Sequence, residues 1–341
     1  MSKYSPTIHP WNQDVWQNLT MEPERANHAL LFNGNSGLGK RDLAIALAHF
    51  VLTDTHSQSE SLFSAGSHPD LHVIMPEVEV HEGLLGSYAN RYLEVHSGKP
   101  KRAITIEQVR RLSAALTTHP HISSHRVILI LFAETMNRNA SNALLKSLEE
   151  PPANTLFIVV TDEVSKLVST IRSRCSVVNF YPPETSAAKA WLTHQRVIPE
   201  AEIDTYLAMA NNHPLAAIEL FNGDYLTALK AVFSEVNSLW MRRAEVTAVA
   251  KSWQQLGALQ TVEILQKLTT DLLRTRLTEK PATVFFPVQM SWISSSSTKL
   301  DKQRLLDLVD ELNEAKRLLA TTVDELLVLE TVAHKFYRLP A

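Results

Sequence analysis

The sequence predicts an α/β chain: a domain built on a parallel sheet, followed by a region of helices alone. Three observations predict it. From residue 28 to 180, short unbroken apolar runs alternate with amphipathic stretches, the pattern of buried parallel strands covered by helices. A glycine-rich loop, Gly34-Asn35-Ser36-Gly37-Leu38-Gly39-Lys40, joins the first apolar run to the first helix. After Tyr181-Pro182-Pro183 the strand-like runs cease and only helical spacing remains.

Strands are expected at residues 29–32, 71–75, 127–131 and 156–160, where unbroken apolarity suits burial on both faces. Helices are expected over 41–52, 104–116 and 139–148. The second carries Ile106, Val109, Leu112 and Leu116 on one face, and Pro151-Pro152 stops the third. Residues 187–194 and 201–211 read as a small helical domain, and helical spacing continues from about 223, interrupted at 280–287 and 294–297. Near the end Leu305, Leu308, Leu312, Leu319, Val323 and Leu326 fall near one helical face. Thr322 and Glu325 have the spacing of a capping box that would divide this stretch into two helices. No internal repeat is visible. The expected boundaries are 1–179, 180–222 and 223–341, and 341 residues suit two or three domains.

Composition narrows the function. Lys and Arg total 33 against 36 Asp and Glu, so the net charge of -3 excludes nucleic-acid binding by bulk charge, and any DNA contact must be a local patch. The single cysteine, Cys175, excludes an internal disulfide and a multi-cysteine zinc site. The start, MSKYSPTIHPW, lacks a signal-peptide pattern, and the apolar run 127–133 is too short to span a bilayer. A cytoplasmic location without membrane contact is expected.

The loop from Gly34 to Lys40 sits where a phosphate-cradling loop must, between strand and helix. Gly34, Gly37 and Gly39 let backbone N–H groups curl around phosphate, and Lys40 can reach its terminal oxygens. The next residue, however, is Arg41, where hydrolysing loops of this kind carry a Ser or Thr that holds Mg²⁺. A guanidinium cannot ligate a cation. The strand 127–130 should then lead into acids for the metal shell and the attacking water, but Leu131 and Phe132 follow. The nearby Glu134 stands two residues on, about 6–7 Å of strand, and could substitute only if the backbone changed course. Weak nucleotide binding and a plain glycine turn both remain open readings of the loop, and no metal site is expected.

Asn142-Ala143-Leu144-Leu145-Lys146-Ser147-Leu148-Glu149-Glu150-Pro151-Pro152, a strand at 156–160 and Ile171-Arg172-Ser173-Arg174-Cys175 follow in order. This series resembles the clamp-loader subunits of bacterial DNA polymerase III, within the AAA-type P-loop ATPases. The resemblance covers the whole chain and implies a nucleotide domain, a small helical lid and an all-α collar through which five subunits associate. It also implies that Arg174 is an arginine finger acting in trans on a neighbouring subunit's ATP. A guanidinium is charged at any working pH, as that role needs.

Within the family, the lost hydroxyl, the lost acids and Leu215 in place of a lid arginine resemble the delta-prime branch rather than the motors. Pro10-Trp11 and Gly66-Ser67-His68-Pro69-Asp70 resemble it too. The implied partners are the gamma/tau motor subunits, the delta subunit, the sliding clamp as a secondary contact, and primer-template DNA. The implied role is a stator without ATPase activity of its own, with no required cofactor. The alternatives are an active motor using Glu134 in a shifted site, and an unrelated P-loop phosphotransferase with a helical appendage.

The family's four-cysteine zinc module has no counterpart in residues 53–65, and His56, His68 and His72 are too few and too irregular to replace it. His119, His121 and His125 read as loop residues. For DNA, residues 101–126 hold Lys101, Arg102, Arg110, Arg111 and Arg126 against Glu107, an excess of four positive charges. Arg102, Arg110 and Arg111 are the contact candidates, with a solvated helix flank as the competing reading. The acidic stretch 77–94 is expected to lie elsewhere.

Overall fold

A computed structural model describes residues 5–21, 28–53, 57–94, 98–223, 225–278, 283–321 and 323–340. His56, Thr322 and positions 280–282 of the expected interruption at 280–287 lie outside these. The chain forms two compact units, Met1–Pro182 and Pro183–Ala341.

The first unit contains helix α1 (Gln13–Met21), β1 (Ala29–Asn33), α2 (Lys40–Thr53), α3 (Ser57–Ser64), β2 (Leu71–Ile74) and α4 (Leu84–Ala89). It continues through α5 (Ile106–Ala115), β3 (Arg126–Ile130), α6 (Arg138–Glu149), β4 (Thr155–Thr161), α7 (Ser169–Arg172) and β5 (Ser176–Asn179). The five strands form one parallel sheet in the order β2-β3-β4-β1-β5. Alternation within the strands divides the core in two. Leu30, Phe32, Leu71, Val73, Val127, Leu129, Ile158 and Val160 pack on the α2 side with Leu43, Leu47, Phe63 and Tyr88. Leu31, Ile74, Ile128, Ile130, Phe157 and Val159 face the other way, against Val109 and Leu112 of α5, Leu144 and Leu148 of α6, and Ile171 of α7.

All four expected strands form. The fifth, β5, at the edge beside β1, has no unbroken apolar run, because its residues alternate between half-buried and exposed. Helix α5 starts with a capping box: Thr105 accepts from the Gln108 N–H and the Gln108 side chain accepts from the Thr105 N–H.

The second unit is all helical: α8 (Thr185–Gln195), α9 (Glu200–Met209), α10 (Pro214–Asn222), α11 (Tyr225–Trp240), α12 (Val246–Leu256) and α13 (Ala258–Leu277), then α14 (Met290–Ser297), α15 (Lys302–Leu319) and α16 (Glu325–Arg338). One continuous apolar cluster joins them, from Leu192 and Leu207 through Trp253 and Leu265 to Leu312 and Phe336. Residues 294–297, expected as a break, are helical in α14, which is anchored by buried Ile293. The division between α15 and α16 falls where expected, but the cap is Asp324, which accepts from the Leu326 N–H at 2.8 Å. Val323 lies in the turn, 39 % exposed, and not on the packed face. Among the described residues no helix is long and apolar enough to cross a membrane.

Candidate functional site

The loop from Gly34 to Lys40 leaves the end of β1 and enters α2. Gly39 has φ +78°, and a Cβ there would collide with the His9 ring, so neither the backbone nor the space admits another residue. The segment preceding α1 braces the loop. Trp11 Nε1 and Asn12 Nδ2 both donate to the Leu38 carbonyl, at 3.0 and 2.8 Å. The His9 ring stacks on Trp11, and its Nε2 lies 2.8 Å from Asp42 Oδ2 on α2.

Lys40 does not point to solvent. Its side chain is 3 % exposed, and Nζ meets Asp162 Oδ1 at 2.6 Å and donates to the Asn35 carbonyl at 2.6 Å. Burial pulls the ammonium below its usual pKa, and the Asp162 carboxylate opposes that pull. Asp162 directly follows β4, whose Thr161 pairs with Asn33 of β1, so the strand register delivers it beside the loop. Sequence reasoning missed Asp162. The available signal was an acid at the carboxyl end of a buried parallel strand, the edge where such sheets hold ligands.

Arg41 and Phe132, read separately as two losses, pack on each other, with the guanidinium carbon 4.7 Å from the ring centroid. Leu131 is fully buried. Phe132 adopts a left-handed backbone (φ 56°) and opens a 3₁₀ turn over Ala133–Thr135. Glu134 Oε2 accepts from Thr161 Oγ1 at 2.8 Å and from the Asp162 N–H at 3.3 Å, at the end of β4. Glu134 therefore stands at the end of β4 with that oxygen occupied. No group of three or more His, Cys, Asp or Glu side chains among the described residues is placed to hold a metal ion.

Arg174 lies between α7 and β5 with its side chain 34 % exposed. Nη2 meets Glu149 Oε1 at 2.5 Å, and Nη1 donates to the Thr170 carbonyl at 3.0 Å. Neighbouring Cys175 is buried, which pushes its thiol up to about 11. Leu215 is half-buried in the first turn of α10, behind Pro214.

The Gly66 to Asp70 motif acts as an internal bracket. Asp70 accepts the N–H groups of His121, Ile122 and Ser123 at 2.6, 2.8 and 2.9 Å. Burial works against its carboxylate, but these donors hold its pKa below the usual range. His68 accepts from the Asp70 N–H, and its other ring nitrogen lies 3.2 Å from Ser123 Oγ. His119, His121 and His125 are exposed loop residues.

The basic stretch is corrected in two respects. Arg126 is 1 % exposed, with Nη2 donating to the Thr118 carbonyl, so it cannot meet phosphate. The acidic segment does not lie elsewhere. Lys101 Nζ pairs with Glu94 at 2.7 Å, the Lys101 N–H donates to Glu77, and Arg111 donates to the Leu93 carbonyl while pairing with Glu107. Arg102 and Arg110 are exposed and have no ionic partner among the described residues.

A family model described as DNA polymerase III, delta subunit, matches residues 11–184. DNA polymerase III subunit delta' of Pseudomonas aeruginosa is 28 % identical to this chain over 346 residues, covering 98 % of each. The subunit of the same name from Haemophilus influenzae is 29 % identical, over 70 % of this chain and 68 % of that one. A solved structure of a DNA polymerase III gamma subunit-related protein from Thermotoga maritima aligns with 94 % of this chain and 98 % of its own, at 16 % identity and a TM-score of 0.47. With the family model matching half of the sequence and a relative matched from end to end, the chain belongs to the delta-prime family of DNA polymerase III clamp-loader subunits.

Proposed function

We propose that the chain is a non-hydrolysing, stator-like subunit of the DNA polymerase III clamp loader. It assembles with the gamma/tau motors and the delta subunit, and lends Arg174 to the adjoining motor's ATP. The complex then loads the sliding clamp on primed DNA, with clamp contact by this chain secondary. One observation carries the reading: the cation–π pair of Arg41 and Phe132 stands where a hydrolysing pocket needs a metal-binding hydroxyl and an acid. The ion pair between Lys40 and Asp162 supports it, because the cation meant for phosphate is already partnered. No cofactor is required, zinc is not expected, and any nucleotide held by Gly34, Gly37, Gly39 and Lys40 is held weakly.

Reconstitution with motor and delta subunits tests this. Clamp loading should need the chain, while the isolated chain should release no phosphate. Arg174→Ala should leave assembly intact and slow hydrolysis by the complex; fingers of this kind are worth on the order of a thousandfold or more in rate. Glu134 at the end of β4 favours a second reading, an active motor with a shifted acid. DNA-stimulated turnover by the isolated chain, abolished by Lys40→Ala, would establish that reading instead.

A further inference from the structure

We infer that Glu149 is a positioning residue for Arg174: it holds the guanidinium on the protein surface with the N–H groups a phosphoryl oxygen would need still unpaired. This deepens the reading of Arg174 as a finger and rests on it.

The donor count carries the argument. A guanidinium has five N–H donors. In Arg174, Nη1 is directed at the Thr170 carbonyl at 3.0 Å and Ser173 Oγ at 3.4 Å, and Nη2 meets Glu149 Oε1 at 2.5 Å. No acceptor among the described residues takes Nε–H, and Nη2 engages Glu149 as an ion partner and makes no further contact with them. The group is fixed from two elements, the end of α6 and the body of α7. Their bases are packed together through Leu144, Leu148 and Ile171. Orientation is therefore supplied by the fold before any neighbour arrives, which is how a catalytic group avoids an entropic penalty at the moment of reaction.

The choice of residue points the same way. Glu149 is the last residue of α6, ended by Glu150 and the two prolines. A carboxylate at a helix C-terminus faces the negative end of the macrodipole, so local helix electrostatics disfavour it. Nor does the pair justify itself by stability. The side chains are 34 % and 47 % exposed, and ion pairs of this exposure contribute little to folding. A locally disfavoured residue with small stabilising return signals a role outside folding.

The test uses the reconstituted complex with full-length variants, reading co-elution, kcat and KM for ATP. Glu149→Gln keeps shape and removes charge. It should lower kcat about tenfold, with KM, co-elution and the unfolding midpoint unchanged, since orientation is lost but the cation stays. Glu149→Asp should restore part of the rate. In an Arg174→Ala background, Glu149→Gln should have no further effect, because the two act as one unit. If Arg174→Ala leaves kcat unchanged, the finger reading fails and Glu149 falls with it. If Arg174→Ala slows turnover but Glu149→Gln does not, or slows it equally in the Arg174→Ala background, the positioning role alone is overturned.

Discussion

The guanidinium of Arg41 rests over the ring of Phe132, 4.7 Å from its centroid. The two positions come from different elements, the first turn of α2 and the turn after β3. A permanent cation and an aromatic face satisfy each other in this contact. On the proposed reading the two residues are coupled: replacing one removes the other's packing partner and supplies only half of a metal site.

Arg41→Ser should therefore leave phosphate release at background, and Phe132→Asp should do the same. Loss of the cation–π contact should cost about 0.5–1 kcal/mol, read as a small drop in unfolding midpoint. Magnesium-dependent turnover from either single variant would show that the metal site had survived.

The ion pair between Lys40 and Asp162 predicts a separate, electrostatic obstacle to nucleotide. A polyphosphate entering the loop must displace Asp162 from Lys40 and then remain near that carboxylate with no metal ion to screen it. Asp162→Asn should raise affinity for ATP by about tenfold, or roughly 1.4 kcal/mol, in a titration with a fluorescent analogue. Equal binding by the native chain and the variant would relieve Asp162 of that role.

The three inner strands were legible because burial on both faces leaves an unbroken apolar signature, as in Val127 to Ile130, and the edge strand β2 was legible because it too is buried throughout. Strand β5 was not, since its residues alternate between half-buried and exposed, and Ser176 and Asn179 leave no such run. The phosphate loop was legible as a local motif. Asp162 was not, because its pairing with Lys40 is made by strand register across the sheet rather than by spacing along the chain. Arg126 shows the limit of counting charges: it opens β3 and is carried inside, though its neighbours in sequence read as a basic surface.

That distinction yields a prediction for DNA. Arg102 and Arg110 are exposed and have no ionic partner among the described residues, so Arg102→Ala and Arg110→Ala should each weaken binding of primed DNA by the complex and reduce the salt slope by about one. Arg111→Ala should do less, because its side chain is already committed to Leu93 and Glu107. Arg126→Met should leave the slope unchanged. A slope that falls for Arg126→Met and not for Arg102→Ala would assign DNA contact to the wrong face of this segment.

The surroundings of Arg126 also fix a pH dependence. His72 on β2 is buried, its Nδ1 hydrogen-bonded to the Tyr92 hydroxyl. Desolvation, then the charges of Arg126 and Arg91, lower its pKa from 6.5 to about 4, with Asp70 opposing and His121 adding slightly. Because the folded pKa lies below the unfolded one, the unfolded chain binds the extra proton first, and stability falls as pH drops from about 6.5 towards 4. The shift corresponds to about 3 kcal/mol across that window. His68, also lowered by burial, adds in the same direction, whereas Asp70, depressed by its three donors, loses its contribution only below 3.8. The unfolding midpoint of the native chain should therefore decline between pH 7 and 5. His72→Asn, whose amide can still reach Tyr92, should flatten that decline without abolishing it, leaving the part due to His68. Parallel profiles for the native chain and His72→Asn would mean that His72 does not titrate in this window.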